Sequence, residues 1–260
     1  MLHHEISGNG KKPLVLLHGF MENTTIWEEM EAHLSKDFTL IKIDLPGHGK
    51  SKVYQEIHTV ELMAEKVKEV IDALKLEKIN LLGHSLGGYV SLAFAEKFPE
   101  ILESMTLFFS TTVADDEEKK AIRKRSIAVI DENFETFVKT SIPNLFSNNE
   151  KDILEGKIEL AKNIAKSTNK EGVKAAQLGM AERPDRTEIL ENLDAKILII
   201  AGKYDNAVKT ENLLKIIPEK TNIKTYVLDC GHNGHWEKPT ICAEIINTEL
   251  FHNLPKHFLL

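Results

Sequence analysis

The sequence predicts an α/β fold, a doubly wound and mostly parallel sheet of about seven strands with an inserted helical segment. Three observations carry this. Short continuous apolar runs recur, such as Leu14–Leu17, Ile79–Leu82 and Ile197–Ala201, and they lack polar alternation, as strands covered on both faces should. Longer segments of helical period separate them, which is the pattern of a wound parallel sheet. Residues 111–190 break the alternation with a stretch that is predominantly helical in pattern.

In chain order, strands are expected over about 2–7, 13–18, 38–44, 78–83, 104–110, 196–201 and 223–228. Helices are expected over about 24–36, 59–75, 86–97, 208–217 and 240–253. The helix from Leu86 is rich in Ala and Leu and stops before Pro99, a residue that cannot continue it. Within the insertion, Asp115-Asp116-Glu117-Glu118 opens a helix, where carboxylates suit the positive N-terminus. Asp115–Lys119 and Asp116–Lys120 are spaced to pair along it. Phe134, Phe137, Val138, Ile142 and Leu145 then recur at helical spacing. So do Leu154, Ile158, Ala161 and Ala165, followed by Val173, Ala176, Gln177 and Met180.

A chain of 260 residues with 42% hydrophobic and 28% charged residues suits one globular domain with a sizeable core. The net charge of −7 argues against nucleic acid and anionic membrane surfaces as partners. The basic run Lys119-Lys120-Arg123-Lys124-Arg125 reads as a solvated face. Two cysteines, Cys230 and Cys242, make no disulfide framework and read as reduced thiols of a cytoplasmic protein. The N-terminus shows no apolar signal region and no span, and His3 and His4 sit in the first expected strand. No repeat or low-complexity tract is present, and oligomeric state stays open.

The chemistry concentrates at Gly83-His84-Ser85-Leu86-Gly87-Gly88, a Gly-x-Ser-x-Gly motif between a buried strand and a helix. A turn this tight strains the serine backbone and pushes its hydroxyl outward. A serine needs a base, an orienter for the base and donors for an oxyanion. His232, on the loop after the last strand, is the expected base, with His235 as rival. The His-x-x-His spacing lacks a third ligand and a supporting helix, so no metal is expected. Asp205 follows the Ile197–Ala201 strand and is the expected orienter, with Asp229, Asp115 and Asp116 as alternatives. The oxyanion donors are expected to be the backbone N–H groups of Leu86 and of Phe20, with Met21 as the alternative to Phe20.

The order Ser85…Asp205…His232, together with His18-Gly19, Asp44-Leu45-Pro46-Gly47-His48-Gly49-Lys50-Ser51 and the elbow motif, resembles the α/β-hydrolase superfamily. More narrowly it is similar to its small esterase, lactonase and C–C hydrolase group. The resemblance implies an antiparallel first strand and a sheet without the outermost strand of larger relatives. It implies a core of residues 1–110 and 191–260, with 111–190 as a helical cap over the site. His18, Asp44, His48 and Ser51 would brace loops. Met21, His84, Ser110, Met180 and His235 are candidate substrate contacts. The activity implied is cofactor-free cleavage of a small-molecule ester or lactone through an acyl-enzyme. Haloalkane dehalogenases and epoxide hydrolases of this fold require Asp where Ser85 stands. A menaquinone-pathway synthase is similar in Asp-Leu-Pro-Gly-His-Gly, but Tyr89 replaces the Arg of its Gly-Gly-Arg pattern. C–C bond hydrolases share the triad, and a hydrolase-fold ligand receptor would also retain it. An aminopeptidase is disfavoured, since the cap segment offers no convincing acidic pair for an α-amino group.

Overall fold

The computed structural model describes residues 1–34 and 36–251. Seven strands form one sheet: β1 (His4–Ser7), β2 (Lys12–Leu17), β3 (Phe38–Ile43), β4 (Ile79–His84), β5 (Leu102–Phe108), β6 (Lys196–Gly202) and β7 (Ile223–Leu228). Their order is β1-β3-β2-β4-β5-β6-β7. β1 pairs antiparallel with β3, and every other pair is parallel.

Alternate side chains of each strand feed opposite cores, as the strand period requires. Val15 and Leu17 of β2 join Val67, Val90 and Phe94 on one face. These come from the helices α2 (Val60–Ala73) and α3 (Leu86–Lys97). Leu14 and Leu16 face Met30, Leu34, Cys242 and Ile246 on the other. Helix α3 is buried along its length from Leu86 to Ala95, which explains why it reads as apolar all round rather than striped.

The first expected helix is two pieces. A 3₁₀ turn, Thr24–Trp27, is capped by the Asn23 side chain and followed by α1 (Glu28–Leu34). Between β5 and β6 lie α4 (Glu117–Ser141), α5 (Glu155–Ser167), α6 (Lys170–Glu182) and α7 (Glu188–Asn192). Asp116 caps α4 by accepting the Lys119 N–H at 2.7 Å, a role for its carboxylate that the expected pairing with Lys120 did not include. Lys120 pairs with Glu117 at 2.8 Å instead. Helix α4 kinks at Asn133 (φ −154°, ψ 85°), whose side chain accepts the Thr136 N–H at 2.9 Å and so starts a second helical run. The fifth strand ends at Phe108, earlier than expected, because Phe109 turns into the left-handed region at φ 50°. Beyond β6 come α8 (Thr210–Lys215), the single turn α9 (Gly234–Glu237) and α10 (Pro239–Ile246), which runs on as a π turn to Phe251. Residues 252–253 of the last expected helix fall outside the described residues.

Candidate active site

Ser85 stands between β4 and α3 with φ 50° and ψ −110°, a conformation L-residues avoid. The turn holds it by hydrogen bonds at both its N–H and its carbonyl. Its N–H donates to the Phe108 carbonyl at 3.0 Å, and its carbonyl accepts the Gly88 N–H at 2.9 Å and the Ser110 hydroxyl at 2.8 Å. Glycine is obligatory around it, since a Cβ at Gly83 would lie 2.1 Å from the Gly87 carbonyl oxygen, and one at Gly87 would lie 2.4 Å from that of Leu17. Helix and strand can therefore approach at van der Waals distance only with this motif.

His232 and Asp205 lie on the loops after β7 and β6 and meet at 2.7 Å between Nδ1 and Oδ2. Both are buried. A carboxylate only accepts, so Nδ1 carries the hydrogen and Nε2 is left basic. The second oxygen of Asp205 accepts the Ala207 and Val208 N–H groups at 2.7 and 2.9 Å, which fixes the carboxylate plane. Asp229, the rival, is exposed and pairs with Lys203 at 3.1 Å. The histidine loop is anchored by Glu237, whose carboxylate accepts the N–H groups of Gly231, Ser147 and Asn233 at 2.9, 3.1 and 3.2 Å. The His232 N–H donates to the Leu145 carbonyl at 2.8 Å, tying the same loop to the inserted segment.

The loop after β2 carries Phe20 and is braced from below. His18 donates through Nδ1 to the Gly19 carbonyl at 2.7 Å and accepts the Leu45 N–H at Nε2, 2.9 Å. One donor and one acceptor make it a neutral imidazole, and burial holds its pKa below the ordinary value. Asp44 accepts the N–H groups of Thr24 and Lys50, both at 2.9 Å, and Ser51 donates to the Asp44 carbonyl at 2.7 Å. Glu22, which the sequence reading did not single out, reaches back to the Gly19 N–H at 2.6 Å and across to His84 Nδ1 at 2.8 Å.

Ser85 and His232 open onto one cavity of about 750 Å³, roofed by residues of the inserted helices. Met21, His84 and Met180 line it beside Phe20 and Tyr89. Ser110 and His235 do not line it. Ser110 is buried behind the elbow, and His235 is fully buried between His84, Trp236 and Trp27, with ring centroids 4.6, 4.4 and 6.0 Å away. Burial, and then the neighbouring His84, push the pKa of His235 well below its ordinary value. At the cavity wall, Asp115 accepts from Arg183 at 2.9 Å and from Arg123, while the Arg183 guanidinium lies 3.9 Å from the Tyr89 ring centroid. Burial alone would raise the Asp115 carboxyl, but the two guanidinium groups overcome it and hold it at about 2.

Among the described residues, the donor atoms of Glu22, His84 and His235 come within 4.8 Å of one another. They do not fit a cation as they stand. Both His84 nitrogens are engaged, with Glu22 and with the His232 carbonyl, and the Glu22 oxygen is shared with a backbone amide. His232 is not in this group, so the His-x-x-His pair does not converge on one point.

A strained serine at the turn from β4 into a helix, followed by an acid on the loop after β6 and a histidine on the loop after β7, is the arrangement of an α/β hydrolase. The family profile for the alpha/beta hydrolase fold matches residues 12–239, and the chain belongs to that family. A thermophilic esterase from Thermogutta terrifontis, solved with malate bound, is 32% identical, with a TM-score of 0.88 over 95% of this chain and 91% of that one. The 2-hydroxy-6-oxononadienedioate/2-hydroxy-6-oxononatrienedioate hydrolase of Escherichia coli is 27% identical over 91% of this chain and 86% of its own. A Bacillus subtilis protein, provisionally named a 2-succinyl-6-hydroxy-2,4-cyclohexadiene-1-carboxylate synthase, is 28% identical over 92% of this chain and 90% of its own. Among the described residues no helix is long and apolar enough to cross a membrane.

Proposed function

We propose that this protein is a cofactor-free serine hydrolase that cleaves a carboxylic ester or lactone. The observation that carries this is His232, held by buried Asp205, which shares one cavity with Ser85 on its strained turn. His232 Nε2 takes the proton of Ser85 as its Oγ attacks the carbonyl carbon. The oxyanion is received by the Phe20 and Leu86 amides, the second at the N-terminus of α3. The proton passes from His232 to the leaving alcohol, which departs and leaves an acyl-serine. Water, deprotonated by the same nitrogen, then releases the acid. Residues 1–110 and 191–260 act as the core and 111–190 as the cap whose helices shape the substrate cavity. The two free, buried cysteines, Cys230 and Cys242, fit a cytoplasmic setting.

The esterase at 32% identity supports ester cleavage. The dioate hydrolase relative supports the alternative of a carbon–carbon bond hydrolase. The synthase reading is weaker. Arg183 does stand over Tyr89, but its Nη groups already donate to Asp115 and to the carbonyls of Val113 and Met180. The test is a panel of p-nitrophenyl esters of rising chain length, with fluorophosphonate labelling of wild type and Ser85→Ala. Wild type is expected to turn over at least one ester of the panel and to label once. The variant should lose labelling and on the order of 10⁶ in kcat. Labelling that persists undiminished in Ser85→Ala refutes the nucleophile. Ester turnover negligible beside that of a dienedioate substrate would move the assignment to carbon–carbon cleavage.

A further inference from the structure

We propose that Glu22 and His84 form a buried ion pair that positions the hydrolytic site, holding the oxyanion loop and the histidine loop to the elbow between them. The inference rests on the hydrolase reading above and adds two positioning residues to it.

The protonation state follows from connectivity. His84 Nδ1 lies 2.8 Å from Glu22 Oε2, and its Nε2 lies 3.0 Å from the backbone carbonyl of His232. A carboxylate and a carbonyl both only accept, so each ring nitrogen must bring a hydrogen, and the ring is an imidazolium. Burial disfavours that charge, but the charge and hydrogen bond of Glu22 outweigh it, and His84 is raised above the ordinary histidine value. Burial likewise acts to raise Glu22, and His84 overcomes it to hold the carboxyl at about 2. The side chains are 1% and 9% exposed, so solvent screens the pair little.

The connections reach three catalytic loops. The Glu22 oxygen that meets His84 also accepts the Gly19 N–H at 2.6 Å, one residue before the Phe20 amide. His84 is the last residue of β4 and precedes Ser85. Its other nitrogen holds the carbonyl of His232 itself. Hydrogen bonds to an ionised partner are about twice as strong as neutral ones, which suits a joint that must not slip. Both nitrogens are thereby occupied, so His84 has no free ring nitrogen for substrate although it borders the cavity. The other groups facing His84 are the His232 ring at 5.1 Å, the His235 ring at 4.6 Å, and the charge of Asp205. His235 is neutral and adds no second cation. Phe108 and Phe109 close the remaining sides at 5.8 and 6.3 Å between ring centroids.

The experiment is Glu22→Gln, whose amide oxygen can accept both N–H groups while removing the charge. At neutral pH kcat should fall roughly 10- to 100-fold, as for a small misplacement of oxyanion donors, with KM nearly unchanged. The alkaline limb of the kcat profile should move to lower pH, because the group that keeps His84 protonated is gone. A variant that only loosens the fold would not move that limb. In wild type, ¹⁵N imidazole spectra, assigned by the signal lost in His84→Gln, should show both His84 nitrogens protonated at neutral pH. That measurement decides the ion pair even if Glu22→Gln does not fold. A singly protonated His84, or a Glu22→Gln enzyme with wild-type kcat and pH profile, overturns the positioning role. Absence of both ester turnover and fluorophosphonate labelling in wild type overturns the hydrolase reading, and this proposal with it.

Discussion

Asp205 divides its carboxylate between two tasks, and that division makes its substitution informative. Oδ1 must accept two backbone N–H groups, from Ala207 and Val208, while Oδ2 accepts from His232. In Asp205→Asn the amide oxygen is held by the backbone donors, so the NH₂ faces His232 Nδ1. The imidazole then takes the tautomer with its hydrogen on Nε2, which cannot accept the Ser85 proton. We expect kcat/KM to fall roughly 10⁴-fold with the fold intact. Asp229→Asn, on an exposed side chain paired with Lys203, should stay near wild type. Ester kinetics with circular dichroism on both variants check this, and a crippled Asp229→Asn beside a normal Asp205→Asn would reassign the acid. That Ser85, Asp205 and His232 sit on loops at one end of the sheet was legible in the sequence because each follows an expected strand, and strand C-terminal ends converge in an open parallel sheet. Glu22 and Glu237 were not legible. Each is a lone glutamate in a short connection, and what singles it out is a set of backbone amides brought near by tertiary folding.

At the scale of elements, every expected strand exists, and the central ones, such as β4 and β6, were plainest because an apolar run buried on both faces has few other fates. Helix boundaries were less visible. Ile142 and Leu145 fall in a separate 3₁₀ turn, while Phe134, Phe137 and Val138 belong to the same element as the acidic start at Glu117, and the break between them is the single residue Asn133. Its side chain caps the second run, so Asn133→Ala should cost about 1 kcal/mol through loss of a cap. Urea unfolding should show a lower midpoint at an unchanged slope, and kcat should be retained since Asn133 does not line the cavity. An unchanged midpoint would mean that the kink is held by packing rather than by its cap. The turn α9 escaped sequence reading for a related reason. It has four residues, too few for any period, and its place is set by Glu237 gathering amides from two loops.

Across the whole molecule, Asp115 ties two inserted helices together and holds the arginine that reaches the core at Tyr89. It follows β5 and receives Arg123 from α4 and Arg183 from the end of α6, while Arg183 covers Tyr89 of α3. The side chains of Asp115 and Arg183 are 0% and 3% exposed, so removing the carboxylate leaves a buried cation unpaired. Asp115→Asn should therefore cost about 3 kcal/mol or more at neutral pH. The sign of its pH dependence follows from linkage. A carboxyl with a lower pKa folded than unfolded contributes stability that is complete above its unfolded value and is lost as pH falls through its folded value. For Asp115 that window runs from 3.8 down to about 2, and for Glu22 from 4.5 down to about 2. Wild type should begin to lose stability as pH falls through 6.5, where the unfolded chain protonates histidines that the fold keeps neutral, among them His18, His48 and His235, and should lose it more steeply below about 4.5 as both carboxylates take up protons. The deficit of Asp115→Asn should shrink over the lower part of the same range, because wild type is there losing the interaction the variant already lacks. Urea midpoints for both proteins at neutral pH, just above 4.5 and near 2.5 measure this. A deficit that stays constant to the lowest pH would show that the carboxylate charge is not what fastens the inserted helices, and that shape alone holds Arg183 against Tyr89.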